Sequence, residues 1–273
     1  RAVPRAGRKP GGRKKKKVIL AAGRGTRNEK ITHGRPKCLL KFGRRTILDY
    51  QIEGLWAAGV SEIGIAIGHN GEEIVKHVAR TYSHGLDSFH FFHNPKFATT
   101  NNIYSLWLTR AWVEPCDFLC LNADVLCHQD VLLPAVTAER PVSMIVDPDW
   151  RDETMKVVIR DGIVVRMSKA ISRAEYSATY IGITTFSREI AAPLFREIGT
   201  MVAEGHVNEF FNAAVQRLID RGLRVGFTST RGLPWAEVDD AADLRFAWTE
   251  VCPKLPRGAG RMRRHGALVT AVA

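Results

Sequence analysis

The stretch Val18-Ile19-Leu20-Ala21-Ala22-Gly23-Arg24-Gly25-Thr26-Arg27 decides how the rest of the chain is read. Its first five residues are a continuous apolar run. A strand with one wet face would alternate, so an unbroken run ending in glycine reads as a strand covered on both faces of a parallel sheet. The loop that follows is rich in Gly, Arg and Thr. Glycines at 23 and 25 let backbone N–H groups approach an anion closely, while Arg27 and, beyond it, Lys37 of Arg35-Pro36-Lys37 add positive charge. The pattern fits a phosphate cradle. It is not a Walker loop, because no Gly-Lys-Ser or Gly-Lys-Thr follows, and Gly-x-Gly-x-x-Gly is incomplete, so it is not a dinucleotide fingerprint. A glycine-rich turn can also be no more than a tight connection, so the surrounding sequence must arbitrate.

Outward from that strand the chain alternates. Thr46 to Ala58 has Ile47, Leu48, Ile52, Leu55 and Trp56 at helical spacing and stops at Gly59. Strands follow at Ile63–Ile67, Phe89–Phe92 and Phe118–Leu121, with helices at Glu72–Arg80 and Asn102–Trp112 between them. This alternation predicts right-handed βαβ units and a three-layer α/β/α, Rossmann-like domain with a mostly parallel mixed sheet. Beyond Val142 the pattern turns antiparallel: Lys156–Arg160 and Ile163–Met167 flank Asp161-Gly162, a hairpin signal. A strand at Tyr180–Phe186, helices at Arg188–Glu204 and Glu209–Asp220, and a strand at Arg224–Thr228 complete the body.

Composition bounds the function. The 273 residues are 45% hydrophobic and 25% charged, an ordinary globular balance, and no apolar run reaches the ~18 residues of a membrane span. The opening residues are basic but no apolar leader follows, so a secreted precursor is not expected. The net charge of +12 suggests nucleic acid until its distribution is considered. Residues 1–17 hold nine Lys or Arg and residues 251–273 hold five, neither with an acid, so the body at 18–250 is close to −2. The reading is a basic disordered tail at 1–17, one domain at 18–250 and a second basic tail at 251–273, with nucleic acid not the expected partner. Five cysteines, three of them (Cys116, Cys120, Cys127) in or near one apolar stretch, read as reduced core residues and point to a cytoplasmic address.

Two acidic positions carry further chemistry. Asn122-Ala123-Asp124 directly follows the Phe118–Leu121 strand, and in open α/β sheets ligands sit outside the carboxyl ends of strands. Alone, Asp124 would pass for a turn former. The later run Glu237-Val238-Asp239-Asp240-Ala241-Ala242-Asp243-Leu244 offers a second carboxylate to share a hard cation with it, while Asp243 suits the first turn of the last helix. Cys120, Cys127 and His128 could be drawn as a zinc site, but core packing explains both cysteines. His90 and His93 lie three apart on a strand and face opposite sides. Of six tryptophans, Trp150 and Trp235 are the two whose neighbours suit a pocket.

Together, Leu20–Arg27, Arg35-Pro-Lys-Cys-Leu-Leu-Lys-Phe-Gly43, the Ile65-Ala-Ile-Gly-His69 strand end, Asn122–Asp124 and the closing Trp235-x-Glu-Val-Asp resemble the sugar-nucleotide pyrophosphorylase type of nucleotidyltransferase. The resemblance runs in order over about residues 18–247. Asn94-Pro-Lys-Phe, Asn101-Asn-Ile-Tyr-Ser105 and Met155-Lys156-Val157 are similar to the branch that activates phosphocholine or small alkylphosphonates with CTP. The resemblance implies a nucleotide-diphospho-sugar transferase type of fold and transfer of CMP from CTP, with release of pyrophosphate. It also implies that Leu20, Ala21, Ala22, Gly23, Gly25 and Thr26 hold the nucleotide, Arg27 and Lys37 meet the triphosphate, and Asp124 and Asp239 hold Mg2+. On the acceptor side it implies Lys156 on the phosphate or phosphonate with Lys169, and Asn101, Asn102, Ser105, Trp150 and Glu209 around it. The family's Glu-Tyr-Ile-Gly appears as Thr179-Tyr-Ile-Gly182, which loses an acid there.

Two rivals stand beside this reading: a hexose-1-phosphate nucleotidyltransferase, and a nucleic-acid-binding or regulatory protein on a transferase body whose tails do the work. The acceptor is left open between phosphonate and phosphocholine. The His206–Glu209 segment, where choline-specific relatives tend to carry aromatics, tilts toward a phosphonate. A homo-oligomer is compatible with the sequence and not encoded in it.

Overall fold

β1 (Lys15–Ala21) is the strand around which the sheet is laid, with every residue from Lys17 to Ala21 buried. The computed structural model of the chain describes residues 15–25, 32–137 and 140–256. A small hairpin, β2 (Lys41–Phe42) and β3 (Arg45–Thr46), leads into helix α1 (Ile47–Ala57). Then follow β4 (Ile63–Ile67), α2 (Gly71–Thr81), β5 (Phe89–His93), α3 (Asn102–Leu108), α4 (Arg110–Val113) and β6 (Asp117–Asn122). The second half comprises β7 (Val125–Cys127), α5 (Leu132–Thr137), β8 (Val142–Asp147), β9 (Lys156–Arg160), β10 (Ile163–Ser168) and β11 (Ala178–Phe186). It closes with α6 (Arg188–Ala203), α7 (Phe211–Asp220), β12 (Gly226–Ser229), β13 (Trp235–Glu237) and α8 (Ala241–Phe246).

The main sheet runs β10-β9-β11-β6-β1-β4-β5, with β8 alongside β11 and β12 beyond β8. The half formed by β6, β1, β4 and β5 is wholly parallel, whereas β11 runs antiparallel to β6, β8 and β9. Successive side chains of β1 feed opposite layers. Val18 and Leu20 pack with α3, α6 and α7, and Ile19 and Ala21 with α1, α2 and α5. This is the expected three-layer α/β/α arrangement. The register slips on β11 between Tyr180 and Thr184, where Gly182 has φ +83° and a Cβ would stand 2.9 Å from Asn122 Nδ2. Only glycine fits both that backbone and that approach.

Helix α1 is capped at its N-terminus by Thr46. Thr46 Oγ1 accepts from Asp49 N while Asp49 Oδ2 accepts from Thr46 N, a reciprocal capping box. Asp49 Oδ1 is bound by Tyr82 Oη and His77 Nε2 at 2.7 and 2.8 Å. Burial alone would raise this carboxyl, but the hydrogen bonds from His77, Thr46 and Tyr82 outweigh it and hold Asp49 below the usual carboxylate range.

Three boundaries differ from the sequence reading. Lys15–Lys17, assigned to the tail, belong to β1: Lys15 Nζ donates to Val136 O, Lys16 Nζ to Trp112 O, and Lys17 is only 1% exposed. Long aliphatic stems let Lys15 and Lys16 enter a strand while their heads find carbonyls. Burial, with Lys15 adding and Asp117 opposing, pushes Lys17 down to about 7. At the other end, Val251 and Leu255 are buried with Phe42, Ile47 and Val238, so the body extends into the segment read as the second tail. The helix expected over Asn102–Trp112 breaks at Thr109, whose backbone N–H and Oγ1 both donate back to Leu106 O. By contrast, the Asp161-Gly162 turn is as expected, both residues taking positive φ between β9 and β10. Residues 1–14 and 257–273 lie outside the described residues.

Candidate functional site

A cleft of about 350 Å³ opens where the carboxyl ends of β1 and β6 meet. One wall is the loop after β1: Leu20, Ala22, Gly23 and Gly25 line it, whereas Ala21 turns into the opposite core layer. Thr26 and Arg27, expected on the nucleotide, lie outside the described residues. Lys37, in a 3-10 turn that Pro36 opens, reaches across so that its Cε would be 3.8 Å from a Cβ placed on Gly25.

The floor is acidic. Short β13 pairs antiparallel with β7, and Val238 N donates to Asp124 O at 3.0 Å, so two segments distant in sequence present Asp124 and Asp239 side by side. The Asp240–Asp243 capping box of α8 then fixes the Asp239 backbone, whose N–H binds Asp243 Oδ2 at 2.8 Å. Lys37 Nζ sits between the carboxylates, 3.1 Å from Asp124 Oδ2 and 2.6 Å from Asp239 Oδ1. Burial would lower Lys37, but the two charges outweigh it and lift it above the usual lysine range. Lys37 is therefore an ammonium here at any working pH.

A third acid, Glu237, also lines the cleft. Burial, then the charges of Asp124 and Asp239, push its carboxyl up to about 8. The sequence reading quoted Glu237 without assigning it a place in the site. The signal was available, because residues two apart on a strand share a face, and Glu237 precedes Asp239 by two.

A second wall combines the start of α3, which packs over β1, β4 and β5, with segments around β11 on the far side of β6. Asn101, Asn102, Ser105 and Lys169 line it as expected. Ser105 Oγ accepts from Asn94 Nδ2 at 3.1 Å, and Asn102 Oδ1 accepts from Phe211 N at 2.8 Å, so these two polar groups brace the wall. Three expected acceptor contacts are not brought there. Lys156 is 3% exposed, donates to Thr154 O and lies 4.6 Å over the Trp150 ring. Trp150 packs on Tyr176, takes Arg173 on its ring as well, and does not line the cleft. Glu209 is exposed and touches the wall only through its carbonyl, which accepts from Ile103 N. Met155, just before β9 and bound through its carbonyl by Tyr180 N, lines the cleft, and its neighbour Lys156, the first residue of β9, does not. Trp235 is likewise buried, under Arg151. Asn122, of the Asn122–Asp124 triplet, joins this wall, and Phe210 and Asn212 line it without having been foreseen; no local motif marks those two.

A glycine-rich loop after the first strand, a lysine and two aspartates distant in sequence converge on one cleft, and the sequence matches the MobA-like NTP transferase domain over residues 17–183. The chain belongs to that family. Similar curated members include the CTP:phosphoglutamine cytidylyltransferase of Campylobacter jejuni, 26% identical over 252 residues that cover 83% of this chain and 96% of that protein. The CMP-5'-(3-aminopropyl)phosphonate synthase of Streptomyces rubellomurinus is 29% identical over 84% of this chain, which spans 38% of that longer protein. Among solved structures, the inositol-1-phosphate CTP transferase of T. maritima superposes with a TM-score of 0.74 at 19% identity, over 89% of this chain and 96% of that one. These folds are those of nucleotide-diphospho-sugar transferases, and the MobA-like domain here is a nucleotidyltransferase. No helix among the described residues is long and apolar enough to cross a membrane.

Proposed function

We propose that the protein transfers CMP from CTP to a small acceptor bearing a phosphate or phosphonate, releasing pyrophosphate. The observation that carries this reading is the Asp124–Lys37–Asp239 bridge facing the glycine loop, in a chain whose cited relatives are named for CTP or CMP chemistry. An oxygen of the acceptor's phosphorus group attacks the α-phosphorus of CTP in line, and the bond to the pyrophosphate oxygen breaks. The attacking oxygen is already anionic at neutral pH, so no general base and no covalent enzyme residue is required. The protein's task is alignment and charge neutralisation.

The acidic floor suits Mg2+. Two carboxylates already converge on one cation, the Lys37 ammonium, and Asp124 Oδ1 is buried with no hydrogen-bond donor among the described residues. No group of three His, Cys, Asp or Glu assembles among the described residues, which matches an ion held by two carboxylates with phosphate oxygens supplying further positions. Bound there, the ion would supply charge neutralisation on the triphosphate. Lys37 stays protonated, within reach of the departing pyrophosphate, and the loop amides from Ala22 to Gly25 hold phosphate and base. On the second wall Lys169, which lines the cleft, and not the buried Lys156, would meet the acceptor's phosphorus oxygens.

Pyrophosphate release by the purified chain, with each of the four ribonucleoside triphosphates against phosphonates, phosphomonoesters and hexose 1-phosphates, with and without Mg2+, tests this reading. Turnover confined to CTP and small acceptors supports it, and turnover confined to a hexose 1-phosphate with another nucleotide overturns it.

A further inference from the structure

The second wall holds a donor with nothing to bind. Asn212, in the first turn of α7, lines the cleft and is 4% exposed, yet no hydrogen bond of ordinary length satisfies its buried Nδ2 among the described residues. A buried amide N–H left unpaired costs free energy that native structures seldom tolerate without a partner. The nearby Tyr180 hydroxyl accepts from Thr184 Oγ1 at 2.8 Å and also interacts with the Asn212 amide, which leaves the second N–H of that amide without a partner. Lys169, for which no ion pair exists among the described residues, lies 5.3 Å over the Phe210 ring, two residues before Asn212.

Of the rings that line the cleft, Phe97 is half-buried with the His69 ring 5.8 Å away, and the other two are closed to a cation. The ring of Phe210 faces the Lys169 ammonium, and Tyr180 is 2% exposed. The tryptophans that could have caged a quaternary ammonium are engaged elsewhere: Trp150 by Lys156 and Arg173, Trp235 by Arg151, and Trp107 by Arg110 and Gly199. Cation recognition needs an open ring face, and a resident lysine repels a second cation.

Resting on the cytidylyl-transfer reading above, we infer that Asn212 is a specificity-determining residue that donates from Nδ2 to an oxygen on the acceptor's organic tail, so that the acceptor carries a hydroxyl, amide or carboxylate and not a quaternary ammonium. A site built to hydrogen-bond a substrate oxygen rejects analogues that lack it, because the buried donor is then left unpaired.

The test is catalytic efficiency with CTP for four acceptors: 2-hydroxyethylphosphonate, 3-phosphonopropionate, ethylphosphonate and phosphocholine. At least one oxygen-bearing tail should exceed ethylphosphonate by tenfold or more, with phosphocholine below ethylphosphonate. In Asn212→Ala that oxygen-to-ethyl ratio should fall at least fivefold, and Asn212→Ser, which keeps a short donor, should recover part of it; melting temperatures report whether each variant is folded. Phosphocholine as the best acceptor of the parent chain overturns the inference without reference to any variant. An unchanged ratio in a folded Asn212 variant overturns it too, and in both cases CTP-dependent turnover leaves the broader reading standing. Failure of all four acceptors with CTP would overturn both together.

Discussion

The two walls of the cleft are built in different ways. On the nucleotide side, one strand and the loop that continues it supply Leu20 to Gly25, and the parallel neighbours β4 and β6 hold that strand on both edges. On the acceptor side, Asn102, Met155, Lys169, Tyr180 and Asn212 come from five separate segments, around the antiparallel β11 where its register slips at Gly182. A wall made from one segment is constrained by local backbone chemistry. A wall made from many can change its ligand by single side-chain replacements while the sheet stays as it is. The difference teaches where a common reaction ends and a particular substrate begins.

That contrast can be broken most directly at the acidic floor shared by both walls. Asp124→Asn and Asp239→Asn should each lower Mg2+-supported turnover by at least ~100-fold for every acceptor, because each removes a charge from the ion that neutralises the transition state. Near-normal turnover in either variant, measured as pyrophosphate release, would remove that residue from the proposed site.

Next in size is Lys37→Ala. Losing a charge-assisted contact to the leaving group is worth about 2 kcal/mol, roughly 30-fold, and should appear in kcat. A change confined to the KM for CTP would place Lys37 in ground-state binding instead. Lys169→Ala sharpens the comparison from the other side. It should raise the KM for all acceptors about 10-fold and leave the KM for CTP within twofold, whereas a selective effect on one acceptor would move Lys169 from the phosphorus group to the tail.

The smallest effect serves as a control outside the cleft. The Asp49 carboxyl is held below its usual range in the folded chain, so it binds protons more readily when unfolded. Its contribution to stability is therefore complete above about pH 4, the ordinary carboxylate pKa, and is lost as pH falls through the lower folded value. Denaturation followed from pH 6 to pH 3 should show a steeper loss in the parent chain than in Asp49→Asn, by about 1 kcal/mol, with no change in acceptor preference at neutral pH. Equal slopes would mean that the capping box, and not the charge, carries the stabilisation.

Much of this molecule was legible in one dimension, for identifiable reasons. The apolar run at Val18–Ala22, the helical spacing of Leu48, Ile52 and Leu55, and the Asp161-Gly162 turn are local consequences of backbone geometry, and they gave the layers and the strand–helix alternation. Lys37, Asp124 and Asp239 could be named as candidates because each follows a strand or a turn whose end must face the crevice. Tertiary structure decided the rest. Lys15–Lys17 read as tail because charge suggests solvent, and the carbonyls of Val136 and Trp112 show how the heads of Lys15 and Lys16 are satisfied inside a strand. Lys156 read as a substrate contact because the Met155-Lys156-Val157 triplet carries the resemblance, but Met155, just before β9, lines the cleft and Lys156 packs on Trp150. Asn212 carried no signal at all. An asparagine in the first turn of a helix is unremarkable until the chain folds back around Tyr180 and leaves its amide buried, lining the cleft and with one N–H unpaired, a property of the assembled wall that no stretch of sequence contains.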